Sequence, residues 1–523
     1  MLSKYRCTAK KFILLCLLPL TISVANAEVK LATVFADSMI IQRDMPINIW
    51  GTAVADEQVT IILNDKSYLG EADKNGEWLI TLPPQKMATQ QSIKVLGNNT
   101  DKNTGKTNTI ELTNVAFGDV YLASGQSNME YKVKQILKTF PNETKLEQYP
   151  DVRQFKVARH YDFQGPLQDI KSGKWLTASS KSVTEFSAVA WFFAKELYQH
   201  TQVPIGIISS SVGATPIESW MSVESLANFP KTQALAYNLA DDKFIENLKT
   251  QYADERAKWW QENPNAKKLE FAVKHRTSLD FKPVGFHNAM IAPLANIKLS
   301  GVIWYQGESN TREPSSYADK FTTLINHWRA LFSQPQLPFM YVQLANFQKP
   351  DEQPSESAWA ELRQAQTKVL NTTKHTAMAL AIDVGERHDI HPQDKQTVGQ
   401  RLALSARSLV YGETTLNYLS PMVDDAKVTN GKAIFSFKHI NKGLTVDGST
   451  LQGFAIAGAD KKFIWANAKL ENSGTNNGKV VVWHDCINSP KYVRYAWGNN
   501  PENANLYNDQ GLPATPFNYE LAH

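Results

Sequence analysis

The stretch Asp119-Val-Tyr-Leu-Ala-Ser-Gly-Gln-Ser-Asn-Met129 decides how the rest of the chain is read. Val120, Leu122 and Ala123 lie in a short apolar run of β-type composition, which predicts a buried strand. The run stops at Ser124-Gly125, and Gln126 to Met129 are residues that a helix can carry. A strand that closes in a glycine turn and opens a helix sets Ser127 at the carboxyl edge of a sheet. There it lies beside helix N–H groups that lack internal partners. A nucleophilic serine in acyl transfer needs that place, because its tetrahedral intermediate is an oxyanion. The stretch is not the Gly-x-Ser-x-Gly elbow. On these residues alone the commoner role of such a serine, capping a helix, stays open.

Outward from this stretch, residues 114–415 alternate strand and helix patterns. Ile205–Ile208, Val302–Tyr305, Phe339–Leu344 and Ala377–Ile382 read as strands. Ala188–His200, the face carrying Phe321, Leu324, Ile325, Trp328 and Phe332, Trp359–Leu370 and Lys395–Tyr411 read as helices. That alternation predicts an α/β/α domain with a mostly parallel sheet. Residues 221–290 hold a charged, helical insertion or lid. On either side the texture is strand and turn. Residues 28–113 place Ile47–Trp50, Val59–Leu63, Trp78–Leu82 and Ser92–Leu96 between Gly, Asn and Pro turns, as in a small β-sandwich. Residues 98–105 read as an exposed loop. Residues 416–523 repeat the pattern in Lys432–Phe437, Gly453–Ile456, Lys479–Trp483 and Tyr492–Tyr495.

Residues 1–27 read as a secretory signal. Lys4, Arg6, Lys10 and Lys11 precede the apolar Phe12–Leu20, and Ala25-Asn-Ala27 offers a small-residue cleavage site. The apolar run is too short to span a bilayer. The formal net charge of the 523 residues is +4, and those four cations account for all of it. The remainder is neutral, which argues against nucleic acid or an anionic membrane as partner. Of three cysteines, Cys7 and Cys16 lie in the leader and Cys486 alone remains, so no disulfide can form within the exported chain. An exported protein without bridges suits a bacterial periplasm or exterior.

In an open parallel sheet, ligands bind beyond the carboxyl ends of the strands. Four such ends carry unusual residues: Gly125-Gln-Ser127, Ser209-Ser-Ser-Val-Gly213, Gln306-Gly-Glu-Ser-Asn310, and the segment from Asp383 to His388-Asp-Ile-His-Pro392. A hydroxyl, a bare glycine, a side-chain amide and an acid–histidine cluster are together the parts of an acyl-transfer site. Gly125-Gln-Ser-Asn-Met129, Trp304-Tyr-Gln-Gly-Glu-Ser-Asn310, Asp389-Ile-His-Pro392 and Asn288-Ala-Met-Ile-Ala-Pro-Leu294 resemble the sialate O-acetylesterase family of the SGNH hydrolases.

The resemblance implies an SGNH-hydrolase-like α/β/α fold and metal-free, cofactor-free hydrolysis of acetyl esters on sugars. Ser127 would attack the acetyl carbonyl. His391, favoured over His388 among 11 histidines, would take the serine proton. The orienting acid is assigned to Asp383, where the family pattern points. Asp389, which shares a side with His391 if the chain is extended, and a backbone carbonyl are the rivals. The oxyanion would be met by the N–H of Ser127, the N–H of Gly213 and the amide of Asn310. Gln126 and Glu308 join Gly213 and Asn310 on the substrate side, Glu308 reading either as a buried support or as a sugar contact. A metal site at Glu386, His388, Asp389 and His391 matches no zinc spacing and would leave Ser127 idle. The expected partner is an acetylated sugar: sialic acid, or acetylated xylan or xyloglucan. A glycan-binding module on an inactive hydrolase frame is the reading of another class.

Overall fold

Thr107–Gly125 form one strand of 19 residues, and it ties the chain together. Its first half pairs antiparallel with Ala88–Thr100, in the N-terminal region. Its second half lies between two parallel neighbours, Ile205–Ser211 and Gly301–Tyr305. The boundary expected between residues 113 and 114 therefore falls inside a continuous strand. At that point Asn114 adopts a left-handed φ of 54°, and its carbonyl accepts a 2.6 Å hydrogen bond from Arg153. The computed structural model describes residues 28–100, 107–145, 149–265, 278–471 and 478–522. The leader, residues 101–105 of the expected 98–105 loop and residues 266–277 of the 221–290 insertion lie outside the described residues, and residues 98–100 belong to the strand Ala88–Thr100.

Across the central part of the sheet the order is Gly173–Ala178, Tyr149–Val157, Ile205–Ser211, Thr107–Gly125, Gly301–Tyr305, Phe339–Val342, Thr376–Ala379. All neighbours there are parallel except the outermost Gly173–Ala178, which makes the sheet mixed. Successive residues of the organising strand face opposite layers, as a pleat requires. Tyr121 and Ala123 enter one core with the helices Ala188–Thr201 and Lys395–Leu409. Val120 and Leu122 enter the other, with Phe321, Leu324 and Trp328 of Tyr317–Leu331 and Leu362 and Val369 of Ala358–Thr372. Ser187 starts the first of these helices by accepting from the N–H of Ala190 at 3.3 Å. The last strand stops at Ala379, earlier than the apolar run to Ile382. Leu380 to Ile382 stay buried, but Arg401 rather than a neighbouring strand takes the Leu380 carbonyl (2.7 Å).

In the N-terminal region the alternation of buried residues follows the sequence. Val59, Ile61 and Leu63 point inward along Gln58–Leu63, as do Trp78, Ile80 and Leu82 along Glu77–Leu82. The insertion contributes the helices Pro230–Leu239 and Asp242–Glu262. Beyond residue 415 come two four-stranded sheets and a two-stranded ribbon, including Lys432–Lys438, Phe454–Ala457, Lys479–Trp483 and Tyr492–Tyr495. No helix among the described residues is long and apolar enough to cross a membrane.

Candidate active site

The turn that presents Ser127 is made by Gly125. Its φ is 131°, and a Cβ there would lie 2.2 Å from the carbonyl oxygen of Tyr305 on the adjacent strand. Only a residue without a side chain allows that approach. The N–H of Gln126 then bonds to the same carbonyl (2.9 Å), and the short helix Ser127–Glu130 begins. Ser127 is partly exposed while Asn128 and Met129 are buried. As the first two residues of the helix, Ser127 and Asn128 have N–H groups with no carbonyl one turn back to bond.

The register of the sheet brings the second strand end alongside, with Ser211 opposite Gly125. A Cβ on Gly213 would stand 3.4 Å from Cβ of Ser127, so the glycine does flank the serine. Its N–H, however, donates to Oε2 of Glu130 at 2.7 Å. Burial lowers the affinity of Lys156 for its proton, and the charge of Glu130 opposes that effect. The third strand end is braced by Gln126, whose Oε1 accepts from the N–H groups of Gly307 (3.4 Å) and Ser309 (3.3 Å). Gln126 thus spends its carbonyl on the fold of the site. Asn310 is also committed: its amide donates to Oε2 of Glu218 (3.0 Å), and its carbonyl accepts from Ile217 N–H (2.9 Å) and Gln306 Nε2 (2.7 Å). Glu218 is paired in turn with the nearly buried Lys320 (2.6 Å). Two of the three expected oxyanion donors, Gly213 and Asn310, are therefore engaged by carboxylates, which are stronger acceptors than a neutral carbonyl.

The fourth strand end meets the first. The imidazole of His391 stacks on Tyr131, with centroids 5.4 Å apart and planes at 11°, and Tyr131 lies four residues after Ser127. Asn128 Nδ2 donates to the carbonyl of Ile390 at 3.0 Å. Asp389 folds back under the histidine: its Oδ1 accepts from the His391 N–H (2.8 Å) and lies 3.5 Å from Nδ1. Burial and the Lys395 ammonium lower the affinity of His391 for a proton, and Asp389 opposes them. Asp383 is not brought to the imidazole. Both its oxygens are held by the Arg401 guanidinium at 2.7 Å, a bidentate pair that fixes the carboxylate against the helix Lys395–Leu409. The carboxylate beside His391 is Asp389, the rival to Asp383 that the sequence offered.

Below the Ser127 turn lies a buried polar cluster that the sequence reading did not assemble. Asn128 Nδ2 also donates to Oε1 of Glu308 (2.5 Å), and Asn128 Oδ1 accepts from Lys395 Nζ (2.5 Å). Burial pushes the Glu308 carboxyl up and holds Lys395 down to about 7. Glu308 is buried, and its Oε2 has no hydrogen-bond partner among the described residues. Two signals mark this cluster in the sequence. Asn128 sits inside the Ser127 motif, and Lys395 heads the buried stripe Lys395, Val398, Gly399, Leu402 at helical spacing. Among the described residues no three His, Cys, Asp or Glu side chains are grouped to hold a metal ion, and Glu386 Oε1 is taken by the N–H of Gln393 (2.7 Å).

Comparison with known proteins places this rim. The chain is 33% identical to a carbohydrate acetylesterase from Xanthomonas citri, whose crystal structure superposes with a TM-score of 0.79 over 94% of this chain and 99% of that one. The class is thereby set: the protein is a carbohydrate esterase, a carboxylic ester hydrolase. The family model described as carbohydrate esterase, sialic acid-specific acetylesterase matches residues 117–253 and 285–408, which contain all four strand ends, and the chain belongs to that family. Sialate O-acetylesterases of Rattus norvegicus and Homo sapiens are each 29% identical to it. The rat alignment covers 91% of both chains, and the human one 94% of this chain and 93% of the relative.

Proposed function

We propose that the protein is an exported serine esterase with an SGNH-type catalytic domain that removes O-acetyl groups from a carbohydrate, sialate O-acetylesterase-like in substrate. Ser127 Oγ attacks the acetyl carbonyl as His391 takes its proton. The imidazolium returns that proton to the departing sugar oxygen, leaving an acetyl-serine. Water, deprotonated by His391, then attacks the acetyl-serine, and acetate and free Ser127 are released. Asp389 faces Nδ1 and stabilises the imidazolium. The oxyanion is met by the N–H of Ser127 and by that of Gly213 once the substrate displaces Glu130. Asn310, Gln126 and Glu308 hold the strand ends in place.

The observation that carries this reading is the joining of the first and fourth strand ends, through the Tyr131–His391 stack and the Asn128–Ile390 bond. Hydrolysis of a chromogenic acetate by the wild type and by Ser127→Ala tests it. Activity that survives in the folded mutant defeats the proposal. Acetate release from O-acetylated sialic acid, compared with release from acetylated xylan and xyloglucan, then assigns the glycan. Export to the periplasm or exterior is tested by N-terminal sequencing of the protein recovered from cell fractions, with Glu28 expected as the first residue.

A further inference from the structure

Lys395 plays no part in the steps above, yet it is fully buried and its ammonium lies at the centre of the site. Its ammonium donates to Asn128 Oδ1, and the charge lies over the rings of Tyr131 (5.3 Å) and Tyr305 (5.5 Å). Tyr131 is the ring on which His391 stacks. An ammonium only donates and a backbone carbonyl only accepts. Lys395 on one side and Ile390 on the other therefore fix which way the Asn128 amide points. That one side chain ties the nucleophile turn, the His391 loop and Glu308 together.

We infer that Lys395 is a positioning residue for deacetylation: through Asn128 it locks the Ser127 turn against the His391 loop, and it sets a positive charge over the ring on which His391 stacks. The inference rests on the reading of His391 as the base. The groups that bear on His391 are few. Lys395 reaches it from the helix Lys395–Leu409, Asp389 from its own loop, and the Tyr131 ring from the nucleophile segment. The carboxylates facing Lys395 are Glu308, Asp389, Glu386 and Asp394, and they favour its charged form. The charge of Lys395 and that of Asp389 act on the imidazole in opposite directions.

The test reads the imidazole directly. In the full-length Ser127→Ala protein, with His388→Gln to remove the neighbouring titration, the His391 ring resonances are followed by NMR from pH 4 to 9. Two steps are expected, one for His391 itself and one as Lys395 loses its proton. A single step overturns the inference. Lys395→Met and Lys395→Gln, the latter keeping a donor for Asn128, each remove the charge. In both, the His391 titration and the acid limb of kcat/KM should rise together by about one pH unit, which is about tenfold in activity on that limb. Lys395→Arg should leave the limb in place. A folded neutral variant whose limb and titration stay where the wild type has them also overturns it. Because the titration is read without turnover, failure of the esterase reading in Ser127→Ala is seen separately.

Discussion

Asp389→Asn separates the two acids that the chain offers to His391. The substitution keeps a side-chain oxygen for the His391 N–H, so the local turn survives and only the charge is lost. The interaction at stake is a carboxylate oxygen 3.5 Å from Nδ1. At that distance two unit charges attract by about 1 kcal/mol in bulk water and about 5 kcal/mol at an effective dielectric constant of ~20. Asp389 keeps 42% of its side-chain surface, which places the value in the lower part of that range. A loss of about 1–3 kcal/mol of imidazolium stabilisation predicts a fall in kcat/KM of about 5- to 150-fold, carried by kcat. The assay is steady-state hydrolysis of a chromogenic acetate at a pH where His391 is neutral. Asp383→Asn is the matched control. It breaks the bidentate pair with Arg401, and should lower the denaturation midpoint while leaving kcat within about threefold. If Asp383→Asn takes the larger toll on kcat and Asp389→Asn changes it by less than about threefold, the assignment of the orienting acid from this geometry is refuted.

Three other outcomes are expected. His287 is 2% exposed, its Nε2 lies 3.3 Å from Nε2 of His327, and burial holds its pKa down to about 4. The unfolded chain, with an ordinary histidine near 6.5, binds the proton first, so stability falls as pH drops from about 6.5 to 4, by up to about 1.4 kcal/mol per pH unit and about 3 kcal/mol in all. Urea midpoints across that window should show the slope, and His287→Gln should flatten it. Gly125→Ala sets a methyl group on the Tyr305 carbonyl at a φ of 131°, and should abolish soluble protein or reduce esterase activity by more than about 100-fold. Arg363 is buried and donates to the carbonyls of Leu344, Ala345, Gly498 (each 2.8 Å) and Asn499 (3.1 Å). Arg363→Leu removes all four bonds, leaving Trp359 Nε1 on the Ala345 carbonyl and the Phe347 N–H on that of Asn499, and should cost about 3–5 kcal/mol in chemical denaturation.

What the sequence made legible is what periodicity and strand ends encode. The alternation over residues 114–415 returns as a mostly parallel sheet with helices in two layers; three of the rim segments follow neighbouring strands, and the fourth follows Thr376–Ala379, one strand beyond Phe339–Val342. The pairing of Asp383 was not legible, because Arg401 stands 18 residues downstream in sequence and nothing in the spacing says that the turn between them folds the guanidinium onto the carboxylate. Asn310 was read as a free donor for the same reason. Its partner Glu218 is 92 residues away, on a different strand end. Gly213 lies beside Ser127, but the claim of Glu130 on its N–H depends on a side-chain rotamer, which no pattern of residue types reports. The apolar run ending at Ile382 overstated its strand because burial, not pairing, accounts for its last residues.

The C-terminal β region has a reason to be part of the same unit, and it lies in the loop that carries His391. The N–H of Gly385 is held by Asn346 Oδ1 (2.7 Å), and Asn346 Nδ2 donates to Asn500 (2.7 Å). Asn500 in turn donates to the Gln348 carbonyl (2.6 Å), and the Gln348 N–H bonds to the Arg387 carbonyl (3.1 Å). Arg387 closes the ring on Glu502 (2.7 Å). A loop from Asp383 to His391 that left the sheet unsupported would sample many conformations, and each extra one dilutes the geometry in which the imidazole can take a proton. Here its backbone is gripped on one side by residues 346–348, which are fixed in turn by residues 499 and 500 of the C-terminal region, and on the other by the Ser127 turn through Asn128. Arg363, the buried cation that joins Leu344 and Ala345 to Gly498 and Asn499, anchors that grip. Under the proposed mechanism, the part of the flanking β region is to order the loop that carries His391, without lending a reacting group.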